Sequence, residues 1–295
     1  MLKLMRYKTI YFLISAIVLI PGIFSLLYWG LKPAIDFTGG TLLELKISPS
    51  EGKSVTGQDL KKVFQEVNIE AFSIQSSGED TFLIRFKPID QAKNTQIQNQ
   101  IQGKIGQVEE LRFETVGPTL GKELLKKTLI ALITAACLIL AFVAYQFKDK
   151  KYGVCAVLAM LHDTFIVLGV FSLLGHFFRI EVDTLFVTAV LTTLSFSVHD
   201  TIVVYDRIRE SRKNYPKVNF EDLVNKAVAE TLSRSVNNSM TIIFMLLALY
   251  LLGGETTKWF VLALLIGVIS GTYSSTFTAA PLLIAWEKIK KRKKN

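Results

Sequence analysis

Six stretches of this chain, each roughly 20 residues long, are almost wholly apolar, and that length suits the ~30 Å hydrocarbon core of a bilayer. They run Thr9 to Trp29, Thr128 to Phe147, Tyr152 to Gly175, Thr184 to Tyr205, Val236 to Leu252 and Trp259 to Ala285, the fifth being the shortest. Lipid offers no partner to a backbone N–H or C=O, so each stretch is expected to be a helix that satisfies these groups within itself. Half of the 295 residues are hydrophobic, as a multispan membrane protein requires.

Short loops rich in Lys and Arg resist translocation, and here they fall on one side. Lys3, Arg6 and Lys8 precede the first span, and Lys148, Lys150 and Lys151 join the second and third. Seven basic residues lie between Arg207 and Arg234 and six between Lys288 and Lys294, whereas the opposite short loops hold Arg179 and Lys258. Both termini are therefore expected in the cytoplasm. The net charge of +9 records this topology and does not point to nucleic acid. The Lys290 to Lys294 run reads as an orientation signal, with contact to anionic lipid headgroups, a ribosome or a partner as the other reading. The first stretch reads as an uncleaved anchor, since no small-residue A-x-A site follows it. Cys137 and Cys155 both lie in spans and supply no disulfide framework.

Residues 30–127 differ: 13 basic and 13 acidic residues balance there, the composition of a water-facing domain. Thr41 to Ile47, Ala71 to Ser76, Thr81 to Phe86 and Glu109 to Val116 read as strands, with a Ser-Ser-Gly-Glu-Asp turn before the third. Thr56 to Val67 and a Gln-rich segment from about Asp90 to Ile105 read as helices. The order β-α-β-β-α-β predicts a ferredoxin-like α+β domain inserted outside the cytoplasm. The chain thus divides into residues 1–29 (N-terminus and first span), 30–127 (the inserted domain), 128–286 (a five-helix bundle) and 287–295 (a basic tail). The domain has no Gly-rich phosphate loop, His or Cys, so neither nucleotide nor zinc chemistry is indicated, and binding or hinging is the expected role.

Asp163 and Asp200 lie inside spans, each after a histidine, where an ionisable group costs roughly 2.5–3.5 kcal/mol on insertion scales and marks a functional site. Around Asp200 the fourth span carries Thr193 and Ser197 at i, i+4 and i+7 spacing, with Thr192, Ser195 and His199 as a neighbouring stripe. Hydroxyls near a carboxyl bond it in either protonation state or order water; interhelical packing is the alternative. A carboxyl moving between a dry setting and a nearby cation loads and releases a proton, and Arg234, after an interfacial helix starting at Asn219, is the candidate cation. His162 and Asp163 read equally as a structural pair bonded to a neighbouring helix or as a direct transport element. Gly267 and Gly271 form a GxxxG seam for close helix packing, beside Ser270, Ser274 and Ser275. Three histidines at these spacings do not make a metal site, and no cofactor is expected.

Asp36-Phe37-Thr38-Gly39-Gly40 after the first span, His162-Asp163, Ser197 through Glu210 (SVHDTIVVYDRIRE) and Leu249 to Gly254 together resemble the SecF family, relatives of the resistance-nodulation-division transporters. The resemblance covers essentially the whole chain; the DFTGG segment alone is weak, and the D-x5-D-R-I-R-E pattern is specific. It implies a non-enzymatic export subunit of the bacterial inner (plasma) membrane. With a SecD-like partner and the Sec translocon channel, such a subunit draws unfolded secretory proteins outward by the proton-motive force. It places the relay aspartate on Asp200 and its arginine on Arg234. Asp206, Arg207, Arg209 and Glu210 then form a salt-bridged helix terminus. His199 stands where the family commonly has Asn, adding a titratable group to the relay or hydrogen-bonding as the amide would. Ser233-Arg234-Ser235 replaces the more familiar Arg-Thr form. The competing readings are a stand-alone exporter of small molecules or lipids, a passive scaffold for the translocon, and an intramembrane aspartyl protease, whose GxGD signature is missing.

Overall fold

The computed structural model describes residues 3–49, 55–67, 69–78, 80–147 and 149–292; Lys148, Lys293, Lys294 and Glu79 of the segments above lie outside these. In chain order the elements are α1 (Lys8–Tyr28), α2 (Ile35–Thr38), β1 (Gly40–Pro49), α3 (Gly57–Glu66), β2 (Ala71–Gly78), β3 (Thr81–Phe86), α4 (Gln91–Lys104), β4 (Gly106–Val116), α5 (Pro118–Gln146), α6 (Lys150–Phe178), α7 (Thr184–Asn214), α8 (Phe220–Leu252), α9 (Glu255–Ser274) and α10 (Ala280–Arg292). They form two compact units, residues 33–129 and residues 1–32 with 130–295.

In the first unit the strands pair antiparallel in the order β2-β3-β1-β4, the split βαβ arrangement. Alternation in β1 sends Leu43, Leu45 and Ile47 to one face, where they meet Phe82, Ile84 and Phe86 of β3, Leu60, Val63 and Phe64 of α3, and Ile97 and Ile101 of α4. Both helices begin where the sequence reading starts them, at Thr56 and Asp90, and each is capped there. The Thr56 and Asp59 side chains close a capping box, and the Asp90 carboxylate accepts from Lys93 N–H at 2.9 Å. Hydrogen bonds from Thr56 hold the Asp59 carboxyl below the usual carboxylate range. β4 runs three residues earlier than its alternation suggests. A bulge opposite Glu44 and Leu45 leaves Leu111 unpaired and half exposed, which shifts the side-chain pattern by one.

The DFTGG segment does more than turn the chain into a strand. Ile35–Thr38 form the single helical turn α2, which ends at Gly39 (φ 73°) and Gly40 (φ 135°). A Cβ on Gly39 would stand 2.7 Å from the Pro118 Cα, and one on Gly121 would stand 2.8 Å from the Gly39 nitrogen. Backbone angle and backbone contact both demand glycine at 39. Gly39→Ala is expected to destabilise this unit by roughly 2 kcal/mol, read as faster amide exchange along β1 in the full chain; unchanged protection would contradict it.

Among the described residues six helical segments are long and apolar enough to span a membrane, the last running from Thr256 to Lys290; all but the start of α5 belong to the second unit. α1 crosses α6 where Gly22 faces Gly169, and α9 crosses α7 where Gly267 and Gly271 face Thr193 and Ser197. The apolar residues that α1 and α5 leave exposed, among them Leu13, Ile17, Ile20, Ile133, Leu138 and Phe142, are those a lipid-facing surface needs. Two features depart from the expected pattern. The interfacial helix and the short fifth span are one continuous 33-residue helix, α8, because no Pro or Gly interrupts Phe220 to Leu252. The last span holds a π-helical turn at Ser275–Ala279, and Tyr205 Oη donates to the Ala279 carbonyl at 2.9 Å.

Candidate functional site

Close packing of α9 on α7 brings the small polar residues of both helices against α6. Asp163, fully buried on α6, is the centre of that meeting. Its Oδ2 accepts from Ser197 of α7 and Ser274 of α9, each at 2.5 Å, and its Oδ1 accepts from Ser270 of α9 at 2.6 Å and faces His162 Nδ1 at 3.0 Å. Four polar groups on one carboxylate satisfy it as fully as a dry interior allows.

Asp200 lies one turn along α7 from Ser197. It is 5% exposed, and its Oδ2 accepts from Ser235 of α8 at 2.8 Å. Ser197, the hydroxyl that bonds Asp163, stands three residues before Asp200 on α7. The two stripes of α7 separate in space: Thr193, Ser197 and Asp200 are buried, while Thr192, Ser195 and His199 are exposed on the chain's own surface. His199 follows Val198 and precedes Asp200, so it turns about 100° away from the carboxylate. Thr193 Oγ1, Thr201 Oγ1 and His162 Nε2 are buried with no hydrogen-bond partner among the described residues.

No ion pair joins Asp200 to Arg234 among the described residues. Ser235 takes the face of α8 that meets α7, which turns its neighbour Arg234 outward. Arg234 is exposed and lines a cavity of about 1190 Å³ with Arg207, Arg209, Glu230 and Lys151 at the ends of α6, α7 and α8. In that region the DRIRE residues are paired. Arg207 bonds Glu210 and Glu230 at 2.6 Å, and Arg209 bonds Asp206 at 2.8 Å. At this exposure such pairs orient the helix end and contribute at most about 1 kcal/mol each. Glu221 binds Lys8 at 3.0 Å and Lys288 at 2.9 Å, and Glu287 binds Lys151 at 3.1 Å, tying α1, α8, α10 and α6 together at the same end.

Ser235, Ser270 and Ser274 hold the two carboxylates, a role the sequence does not announce. Ser270 and Ser274 read as packing residues by small size beside GxxxG and i, i+4 spacing on α9, and Ser235 only as part of Ser233-Arg234-Ser235.

The family described as protein export membrane protein SecD/SecF, C-terminal, matches residues 96–289, and the SecD/SecF GG motif matches residues 30–51. The chain is 41% identical to protein translocase subunit SecF of Thermobaculum terrenum over 97% of its length and 94% of the relative's. It is 35% identical to protein translocase subunit SecDF of Thermus thermophilus, covering 89% of this chain and 35% of that longer protein. The crystal structure of SecDF from the same organism, described as a translocon-associated membrane protein, superposes with a TM-score of 0.83 at 32% identity, over 96% of this chain and 38% of that one. Matched along nearly its whole length by these proteins, the chain belongs to the SecD/SecF family of protein export membrane proteins and is similar to its SecF subunits.

Proposed function

We propose that this protein is the SecF subunit of a bacterial Sec export machinery. With a SecD-like subunit beside it and the translocon channel nearby, it uses the proton-motive force to complete the outward passage of unfolded secretory chains. The observation that carries this reading is Asp200, a 5%-exposed carboxyl held by Ser235 within a membrane span, with Arg234 next to Ser235 on the same helix. In this mechanism Asp200 takes up a proton from outside. A rotation of α8 by about the 100° between successive residues then brings Arg234 to it, and the cation drives the proton off toward the cytoplasm. The inserted domain moves in response. One proton crossing 100 mV contributes about 2.3 kcal/mol, enough to shift a two-state domain equilibrium.

A SecD-like partner is supported by the exposed polar surface of α7 and α8. His199, Asn237 and Asn238, exposed beside Thr192 and Ser195, carry polar groups that hydrocarbon does not satisfy. A second chain covering that surface also completes the path to Asp200. The positive-inside rule, applied to the basic segments, supports cytoplasmic termini.

Vesicles carrying this protein with a SecD-like subunit should complete export of a client at a rate that collapses when a protonophore dissipates the gradient. Export that ignores the gradient, or failure of the two subunits to co-purify, would contradict the proposal. In the second case a stand-alone transporter becomes the better reading.

A further inference from the structure

Asp163 is more fully enclosed than Asp200, and the relay just described leaves it idle. Its contacts determine the state of its neighbour. An ionised carboxylate only accepts hydrogen bonds. With three serine hydroxyls already donating to Asp163, the remaining 3.0 Å contact places a hydrogen on His162 Nδ1. His162 Nε2 is then a bare lone pair, buried, with no partner among the described residues. A ring nitrogen left so at membrane depth is costly unless something binds it. A proton on that lone pair would make an imidazolium facing the Asp163 carboxylate, an ion pair with its hydrogen bond already in place.

The ionisable surroundings of this pair are few. α7 brings Asp200, with His199 on its exposed side. α9 brings the hydroxyls of Ser270 and Ser274, and α1 packs along α6 through Gly22 and the hydroxyl of Ser25, which lies 2.7 Å from Ser172. α10 meets α6 through Glu287, which is held by Lys151 a full three turns from His162.

We propose that His162 and Asp163 form a second proton station, which feeds Asp200 through Ser197. This rests on the relay reading above. A proton binds His162 Nε2, and the Nδ1 hydrogen passes to Asp163. The protonated carboxyl turns its O–H to Ser197, whose hydroxyl hydrogen swings from Asp163 Oδ2 toward Asp200, three residues along the same helix, so that Ser197 Oγ accepts the Asp163 proton as it releases its own. One proton enters and one leaves, and only N–H and O–H bonds are exchanged; His162 is left as its Nε2–H tautomer and returns to the Nδ1–H form when water takes the Nε2 proton and gives one to Nδ1. His162 is the loading group, Asp163 holds its charge, and Ser197 is the link between α6 and α7.

The test is proton uptake against external pH in vesicles holding the full chain with its SecD-like subunit. His162→Gln and Asp163→Asn should each lower uptake by at least roughly tenfold, and Asp163→Glu should recover part of it with a displaced pH profile, which a purely structural role would not give. If both variants keep wild-type uptake and profile while Asp200→Asn loses uptake, the station does not exist and the relay stands. If Asp200→Asn also keeps wild-type uptake, the relay fails and this proposal with it. Should the α6 variants melt early, infrared difference spectra of a His176→Gln/His199→Gln chain with ring-labelled histidine read the loading step directly. An imidazolium signal on acidification supports it, and a ring that stays neutral throughout overturns it.

Discussion

Gly169→Leu is expected to detach α1 from the membrane unit. A Cβ on Gly169 would lie 2.5 Å from the Gly22 Cα and 2.8 Å from its carbonyl carbon, so the obstacle is backbone that no rotamer change can move. The crossing also carries polar contacts. One turn on, Ser172 faces Ser25 at 2.7 Å and donates to the Gly30 carbonyl at 2.7 Å. Overpacking of about 1–3 kcal/mol together with about 1 kcal/mol for each lost hydrogen bond gives at least about 3 kcal/mol. In detergent the variant should melt well below the wild type and lose α1 protection in hydrogen exchange. Gly22→Ala should cost less, because its added Cβ meets the Gly169 Cα at 3.1 Å. A wild-type melting temperature for Gly169→Leu would show that the two helices do not cross there.

The helices were legible because their signals are local, and Thr193, Ser197 and Asp200 declare a polar stripe by spacing on one helix. The caps at Thr56, Asp59 and Asp90 came only with the structure. The glycines at 267 and 271 announce a close crossing without naming what they touch. What the sequence concealed depends on that crossing. The serines that hold Asp163 come from 34, 107 and 111 residues away, and nothing in their own neighbourhoods distinguishes a ligand of a carboxylate from a packing residue. Asp163 therefore reads as the lesser acid, although it gathers more hydrogen bonds than Asp200. Single-turn features escape for a different reason. α2 is too short to show a period, and the π-helical turn at Ser275–Ala279 changes hydrogen-bond spacing without changing composition. Arg234 and Asp200 match in depth along their helices. Their separation is set by Ser235, whose place on the inner face of α8 appears only once the helices pack.

If the proposed relay holds, Asp200→Asn is expected to have the largest functional effect. The amide has the shape of the carboxyl and keeps an acceptor for the Ser235 hydroxyl, so folding and pairing with a SecD-like subunit should persist, with melting changed by no more than about 1 kcal/mol. What is lost is the ability to bind and release a proton at a point where α7 and α8 meet. Gradient-driven export should fall by at least about 100-fold, leaving the gradient-independent rate. Export at the wild-type rate in this variant would return the protein to a scaffold that stabilises the translocon passively. Proton entry itself gives the most direct reading. In vesicles containing both subunits and a trapped pH-sensitive dye, an imposed gradient should acidify the lumen with wild-type protein and leave it unchanged with Asp200→Asn, whereas equal acidification by the two would contradict Asp200 as the proton-carrying group.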